Sequence, residues 1–151
     1  MKTIHYLLDT NIFIEAIRSN RVWERIKALF DPLMADPRPV YSSVSEGELR
    51  SLAVIFRWGP DKMSQMEFLL GYYEAIPIEH PDIMSAYAKI DSETKLVGRR
   101  MGKNDLWIAA TAMANGLTLL TTDLDFDAIS PQFIDRKWID PNVAGPPVDL
   151  N

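Results

Sequence analysis

The sequence contains no cysteine, which excludes disulfides, thiolate metal sites and a cysteine nucleophile. Histidine is almost as scarce: His5 sits inside an apolar run and His80 stands just before Pro81, a poor arrangement for an imidazole acid–base pair. No apolar stretch approaches the roughly 18 residues of a membrane span, and no repeat, low-complexity tract or long linker divides the chain. Met1-Lys2-Thr3 leads into a short strand-like run, not into the longer apolar stretch and small-residue cleavage site of a signal peptide. The expectation is therefore a cytoplasmic protein with no membrane association. Positive charge is also in deficit, since 16 Lys and Arg stand against 21 Asp and Glu for a net charge of −5. That argues against a broad basic surface for gripping nucleic acid. It leaves room for an enzyme whose acidic site recovers positive charge by binding metal.

What the chain does have is the composition of a globular fold, with 47% apolar and 25% charged residues over 151 positions, enough for one core of ordinary size. The expectation is a single domain over residues 1–139 and a loosely ordered tail with proline and glycine over 140–151. Short apolar runs alternate with longer amphipathic segments, the pattern of βαβ units and a largely parallel sheet. Strands are predicted at residues 4–8, 40–42, 75–78, 118–121 and 133–138, the last at an edge. Helices are predicted at 11–18 with Thr10 as cap, 22–30, 43–56 with Ser43 or Ser45 as cap, 61–73, 81–97 and 104–115. A short helical turn follows at 124–129, and Gly116 suits the position just past its helix.

Four acids fall where a strand ends or in the early turns of a helix: Asp9, Glu48, Asp105 and Asp123. In an open α/β sheet these positions converge on one crevice outside the carboxyl ends of the strands. Carboxylates gathered there repel one another, and burial disfavours their charged forms. A divalent cation relieves both costs. Each acid alone has a local explanation: Asp9 and Asp123 as turn formers, Asp105 as an acid at a helix start with Asn104 as cap. Their joint placement carries the reading of a metal-dependent site. Helical phase separates two neighbours on the 43–56 segment. Glu48 lines up with Val44, Leu52 and Ile55 on an apolar stripe, whereas Glu46 lines up with Arg50 as an exposed ion pair.

The segments Leu8-Asp9-Thr10-Asn11, Glu48-Leu49-Arg50, Asn104-Asp105-Leu106-Trp107 and Thr121-Thr122-Asp123-Leu124-Asp125-Phe126 resemble, in order and spacing, the acidic motifs of the PIN domain. Within that family the resemblance is to VapC-type toxins of toxin–antitoxin pairs. It spans almost the whole chain. It implies a three-layer α/β sandwich with a central, mainly parallel sheet between helices, and an endoribonuclease dependent on Mg²⁺ or Mn²⁺. Asp9, Glu48, Asp105 and Asp123 carry over as the acidic site, with Asn11, Thr121 and Asp125 in support. Asp9 and Asp105, short and rigidly held, are the expected direct ligands of the ion. In-line attack by water would leave a 5′-phosphate and a 3′-hydroxyl. A histidine route through a cyclic phosphate is disfavoured by the placement of His5 and His80.

Arg99, Arg100 and Lys103, just before Asp105, are the expected contacts to flanking phosphates of the RNA, or else a solvated basic loop. Expected partners are the RNA substrate, a cognate antitoxin and a second copy of the chain in a homodimer. The segment 58–73, longer than in compact members, is a candidate surface for RNA or antitoxin, although Trp58, Tyr72 and Tyr73 also suit core packing. Two rivals remain open: a PIN-like binding module without catalysis, and a phosphoacceptor receiver domain. The latter would need paired acids after the first strand and a lysine after a later one, which this sequence lacks.

Overall fold

The computed structural model describes residues 3–142. Most of the expected 140–151 tail lies outside the described residues. Five strands, β1 (Tyr6–Leu8), β2 (Val40–Ser42), β3 (Glu74–Ile76), β4 (Thr118–Thr121) and β5 (Asp135–Trp138), form one sheet in the order β3-β2-β1-β4-β5. Every neighbouring pair is parallel. Six helices connect them: α1 (Thr10–Arg18), α2 (Arg21–Phe30), α3 (Ser43–Ile55), α4 (Pro60–Tyr72), α5 (Pro81–Leu96) and α6 (Lys103–Asn115), with a 3₁₀ turn at Leu124–Ala128.

Side chains alternate across the central strands, as the pleat requires. Leu8 and Leu120 face one side and join Ile12, Phe13, Trp23, Ile26, Leu49, Met66 and Leu69 from α1 to α4. Leu7 and Leu119 face the other and join Ile90, Leu106, Ile108 and Ala109 from α5 and α6. The sheet is thus buried on both faces, the usual state of an all-parallel sheet, and the three-layer α/β sandwich expected from the alternating pattern is the one found. The Tyr41 hydroxyl donates to the Leu70 carbonyl at 2.9 Å and Tyr73 to the Pro32 carbonyl at 3.0 Å. Tyr72 donates likewise to the Leu33 carbonyl, so the tyrosines of the 58–73 segment serve packing. Trp58 also packs against that core.

Helix caps fall one or more positions earlier than expected. Asp9, not Thr10, caps α1, and Ser42 caps α3 through its hydroxyl, which accepts from the Val44 amide. Both strands run straight into their helices, so the last strand-flanking residue is the one left to satisfy the free amides. Gly102, not Asn104, precedes α6 and offers no side-chain cap. Gly116 ends α6 with φ of 62°, a conformation that costs glycine nothing.

The buried stripe of α3 also differs from expectation. It consists of Ser45, Leu49 and Ala53, while Ile55 is 65% exposed, because α3 reaches beyond the layer it packs on. Glu48 borders this stripe and is half-buried. Glu46 does pair with Arg50 at 3.1 Å, and Arg50 reaches on to Glu67 of α4 at 2.6 Å. Gly47, in the helix interior, costs α3 about 1 kcal/mol relative to alanine. The revised phase has a direct check in urea denaturation. Leu49→Ala is expected to cost about 2–5 kcal/mol, whereas Ile55→Ala should stay within about 0.5 kcal/mol of the parent.

Candidate active site

The register of the central strands brings the first acids together. Leu8 of β1 pairs with Leu120 of β4, and the Asp9 amide donates to the Leu120 carbonyl at 3.0 Å. Asp9 and Thr121 are therefore neighbours at the carboxyl edge of the sheet. Thr121 Oγ1 donates to Asp9 Oδ2 at 2.7 Å and accepts from the Asp123 amide at 2.9 Å. The Thr10 amide donates to Asp9 Oδ1 at 2.8 Å. Asp9 is only 3% exposed, so both of its oxygens are held from within the protein.

A second hydroxyl holds Glu48. Thr10 Oγ1 lies 2.7 Å from Glu48 Oε1 and 2.8 Å from Ser45 Oγ. A hydroxyl has one proton and an ionised carboxylate can only accept, so Thr10 donates to Glu48 and Ser45 donates to Thr10. Neither Thr10 nor Ser45 was among the expected site residues. The signals were a threonine next to Asp9 and a serine one helical turn before Glu48.

Asp105 stands in the first turn of α6, and Asp123 caps the 3₁₀ turn by accepting from the Asp125 amide at 2.8 Å. One carboxylate oxygen from each of Asp105, Asp123 and Asp125 lies within 4.8 Å of the others. Among the described residues this is the one set of three acids close enough to share an ion. It takes in Asp125, expected only in support; Asp9, expected as a direct ligand, lies outside this set of three and adjoins it near Asp105 and Asp123. Asn11 is half-buried, and its amide has no partner among the described residues.

Electrostatics ties these acids into one group. Burial, opposed by the Thr121 and Thr10 hydrogen bonds and reinforced by Asp105 and Asp123, pushes the Asp9 carboxyl up to about 7. Burial, followed by repulsion from Asp123, Glu48 and Asp125, pushes Asp105 up to about 6. Hard oxygen donors that crowd until they hold protons fit a divalent cation such as Mg²⁺ or Mn²⁺ in chemistry and charge.

The three cations expected to touch substrate are all exposed. Arg99 is anchored by its amide to the Thr94 carbonyl at 2.8 Å. Arg100 and Lys103 line a cavity of about 290 Å³ with Tyr87, Asp91 and Lys95, and no acid of the central group lines it. None of the three side chains pairs with an acid among the described residues.

A sheet of this order with acids gathered at its carboxyl edge defines a class. Residues 6–130 match the PIN domain, and the chain belongs to the PIN domain family. It is 34% identical over 128 residues to Ribonuclease VapC4 of Mycobacterium tuberculosis, covering 82% of this chain and 89% of that protein. It is 32% identical over 124 residues to Toxin FitB of Neisseria gonorrhoeae, covering 78% and 86%. The structure of FitAcB from Neisseria gonorrhoeae superposes with a TM-score of 0.68 at 28% identity, over 87% of this chain and 95% of that one. VapBC2 from Rickettsia felis, bound to a DNA fragment from its promoter, superposes with a TM-score of 0.70 at 23% identity, over 89% and 98%; that similarity speaks to fold.

The raised carboxyl values set a pH dependence. Asp9 and Asp105 keep their protons to higher pH in the folded state than an ordinary aspartate does in an unfolded chain. The folded state therefore binds more protons between about pH 4 and 7, and stability falls as pH rises through that window. With EDTA present, Tm is expected to be lower at pH 8 than at pH 5, by an amount corresponding to about 2 kcal/mol from buried Asp9, with a smaller part from the solvent-screened Asp105. Asp9→Asn should flatten the decline. A Tm that rises over the same window would contradict the assignment.

Proposed function

We propose that this chain is a divalent-metal-dependent endoribonuclease, the toxin of a toxin–antitoxin pair. The observation that carries the reading is the gathering of Asp105, Asp123 and Asp125 within 4.8 Å, with Asp9 tied to the Asp123 backbone through Thr121 and Glu48 held by Thr10, in a chain that resembles named ribonucleases and toxins. A cytoplasmic location and a homodimer accord with it. The VapBC and FitAcB structures support a cognate antitoxin as partner.

Asp105, Asp123 and Asp125 would hold Mg²⁺ or Mn²⁺ directly, with Asp9 adjoining them through Thr121 and Asp105. When bound, the cation makes the attacking water more acidic and offsets charge developing on the phosphate. The chain supplies the rest. Glu48, held by Thr10, accepts a hydrogen bond from the attacking water and orients it in line with the scissile bond. Water adds to phosphorus, the bond from phosphorus to the 3′-oxygen breaks, and that oxygen takes up a proton. The products are a 5′-phosphate and a 3′-hydroxyl. Arg99, Arg100 and Lys103, whose side chains pair with no acid among the described residues, offset the charge of flanking phosphates.

Incubation of the purified protein with total RNA, in Mn²⁺ or in EDTA, tests the reading. Cleavage is expected only with the metal, and ends that accept ligation through a 5′-phosphate identify the bond broken. Glu48→Gln should lower the rate by about 10²-fold or more, while Glu46→Gln should leave it within about twofold, since Glu46 serves only an exposed ion pair. Asp9→Asn should abolish cleavage with the fold retained. Expression without an antitoxin should arrest growth of the host; harmless expression of an RNA-cleaving wild type would remove the toxin role.

A further inference from the structure

Beside the acids, between α3 and the first turn of α6, lies a cleft of about 490 Å³ lined by Val44, Gly47, Glu48, Ser51, Leu52 and Asn104. Its walls divide by chemistry. Val44 and Leu52 are apolar. Ser51 and Asn104 offer a hydroxyl and a carboxamide that have no hydrogen-bond partner among the described residues. Glu48 supplies the one charge, and no lysine or arginine lines the space. No lysine or arginine in this lining offers a flanking phosphate a counter-charge of its own. An uncharged, flat group with polar edges suits the cleft better: Val44 and Leu52 on α3 can cover one face while the Asn104 carboxamide and Ser51 hydroxyl meet its rim.

Gly47 gives a second, independent observation. In the interior of the 13-residue helix α3, glycine is the poorest choice short of proline. Nothing lies within 4 Å of the position a Cβ would take, and the backbone is not left-handed there. Neither packing nor geometry demands glycine at this point. A longer side chain would grow into the cleft.

We infer that the cleft receives a nucleobase of the RNA beside the scissile phosphate, with Ser51 and Asn104 reading its edge and Gly47 keeping the space open. Base preference at the cut is then set between α3 and α6, next to the carboxylate that orients the water. The inference rests on the ribonuclease reading for the nature of the polymer.

The test uses fluorescein-labelled single-stranded hexamers of A, C, G and U, bound in Ca²⁺ and followed by anisotropy, together with mapped cleavage of a mixed-sequence RNA in Mn²⁺. Wild type is expected to favour one hexamer over the poorest by about tenfold, the scale of one stacked base. Gly47→Leu should erase that preference and scatter the cut positions while the Tm gain with Mn²⁺ persists. Asn104→Ala should change which base is favoured. Gly47→Ala, a smaller plug expected to raise Tm, covers the case in which the leucine variant does not fold, and it should weaken the preference in part. Equal binding of all four hexamers by wild type overturns the inference, as does a Gly47→Leu protein that keeps both preference and cut sites. Should wild type leave RNA intact in Mn²⁺ while the Gly47-sensitive preference holds, the ribonuclease reading falls and the base pocket stands. Normal cleavage with Gly47-insensitive preference has the opposite meaning.

Discussion

Repulsion among carboxylates at one edge of the sheet is the constraint around which the rest of the molecule is arranged. Asp105 and Asp123 lie close enough to Asp9, and Asp123 to Asp105, to add to the burial that raises the proton affinity of Asp9 and Asp105, and a fold that gathers these acids must hold them against that force. It does so with neutral hydroxyls. Thr121 ties Asp9 to the backbone of Asp123, and Thr10, backed by Ser45, ties α1 to Glu48 on α3. A hydroxyl donates to a carboxylate without adding a charge, so the site keeps its demand for a cation while its geometry stays fixed. The sheet order makes this possible. With β1 between β2 and β4, the segments leaving three adjacent strands open onto the same crevice, the place where ligands bind in folds of this kind.

Much of this was legible in the sequence, and for physical reasons. The strand ends could be read because apolar runs stop abruptly at Asp9 and at Thr121-Thr122-Asp123. The acids stood out because their positions are topologically equivalent, although their numbers are far apart. Helix phase was read less well. The stripe of α3 was placed on Val44, Leu52 and Ile55, but the end of that helix projects past its supporting layer. There the apolar residues Val54, Ile55 and Phe56 are 78%, 65% and 61% exposed. Periodicity alone cannot report where a neighbour stops. Caps were misplaced at Thr10 and Asn104 because local propensity does not say whether a strand passes directly into a helix. The contact between Thr10 and Glu48 joins residues 38 apart, and no local pattern encodes it. Asp125 was visible as part of its motif, yet its approach to Asp105 depends on the tightness of a 3₁₀ turn.

The helices around the site have unequal tasks. α1 and α3 hold functional side chains and must be positioned accurately, and α4 is the buttress that does this for α3. Met66 and Leu69 are buried against the same core as Leu49, and Arg50 spans the outer side to Glu67. The ion pair is exposed and screened by solvent; the buried apolar contacts supply most of the attachment. The tyrosines of this region are anchored through their hydroxyls to backbone carbonyls, the core-packing role that their spacing also suited. α5 and α6, on the opposite face, pack through Ile83, Ile90, Ala109 and Ala110. Small residues on α6 let it lie close to the sheet, and its first turn then delivers Asp105 to the crevice.

The two margins of the sheet have a bearing on how this protein can meet others. β3 is three residues long and is followed immediately by Pro77, which has no amide hydrogen to offer. β5 carries Asp135, Arg136 and Lys137 in succession. Short length, proline and charge are the devices by which open strands refuse a further strand. Among the described residues both margins thereby disfavour association by sheet extension, which leaves the helical faces as the broader surfaces on offer to a companion.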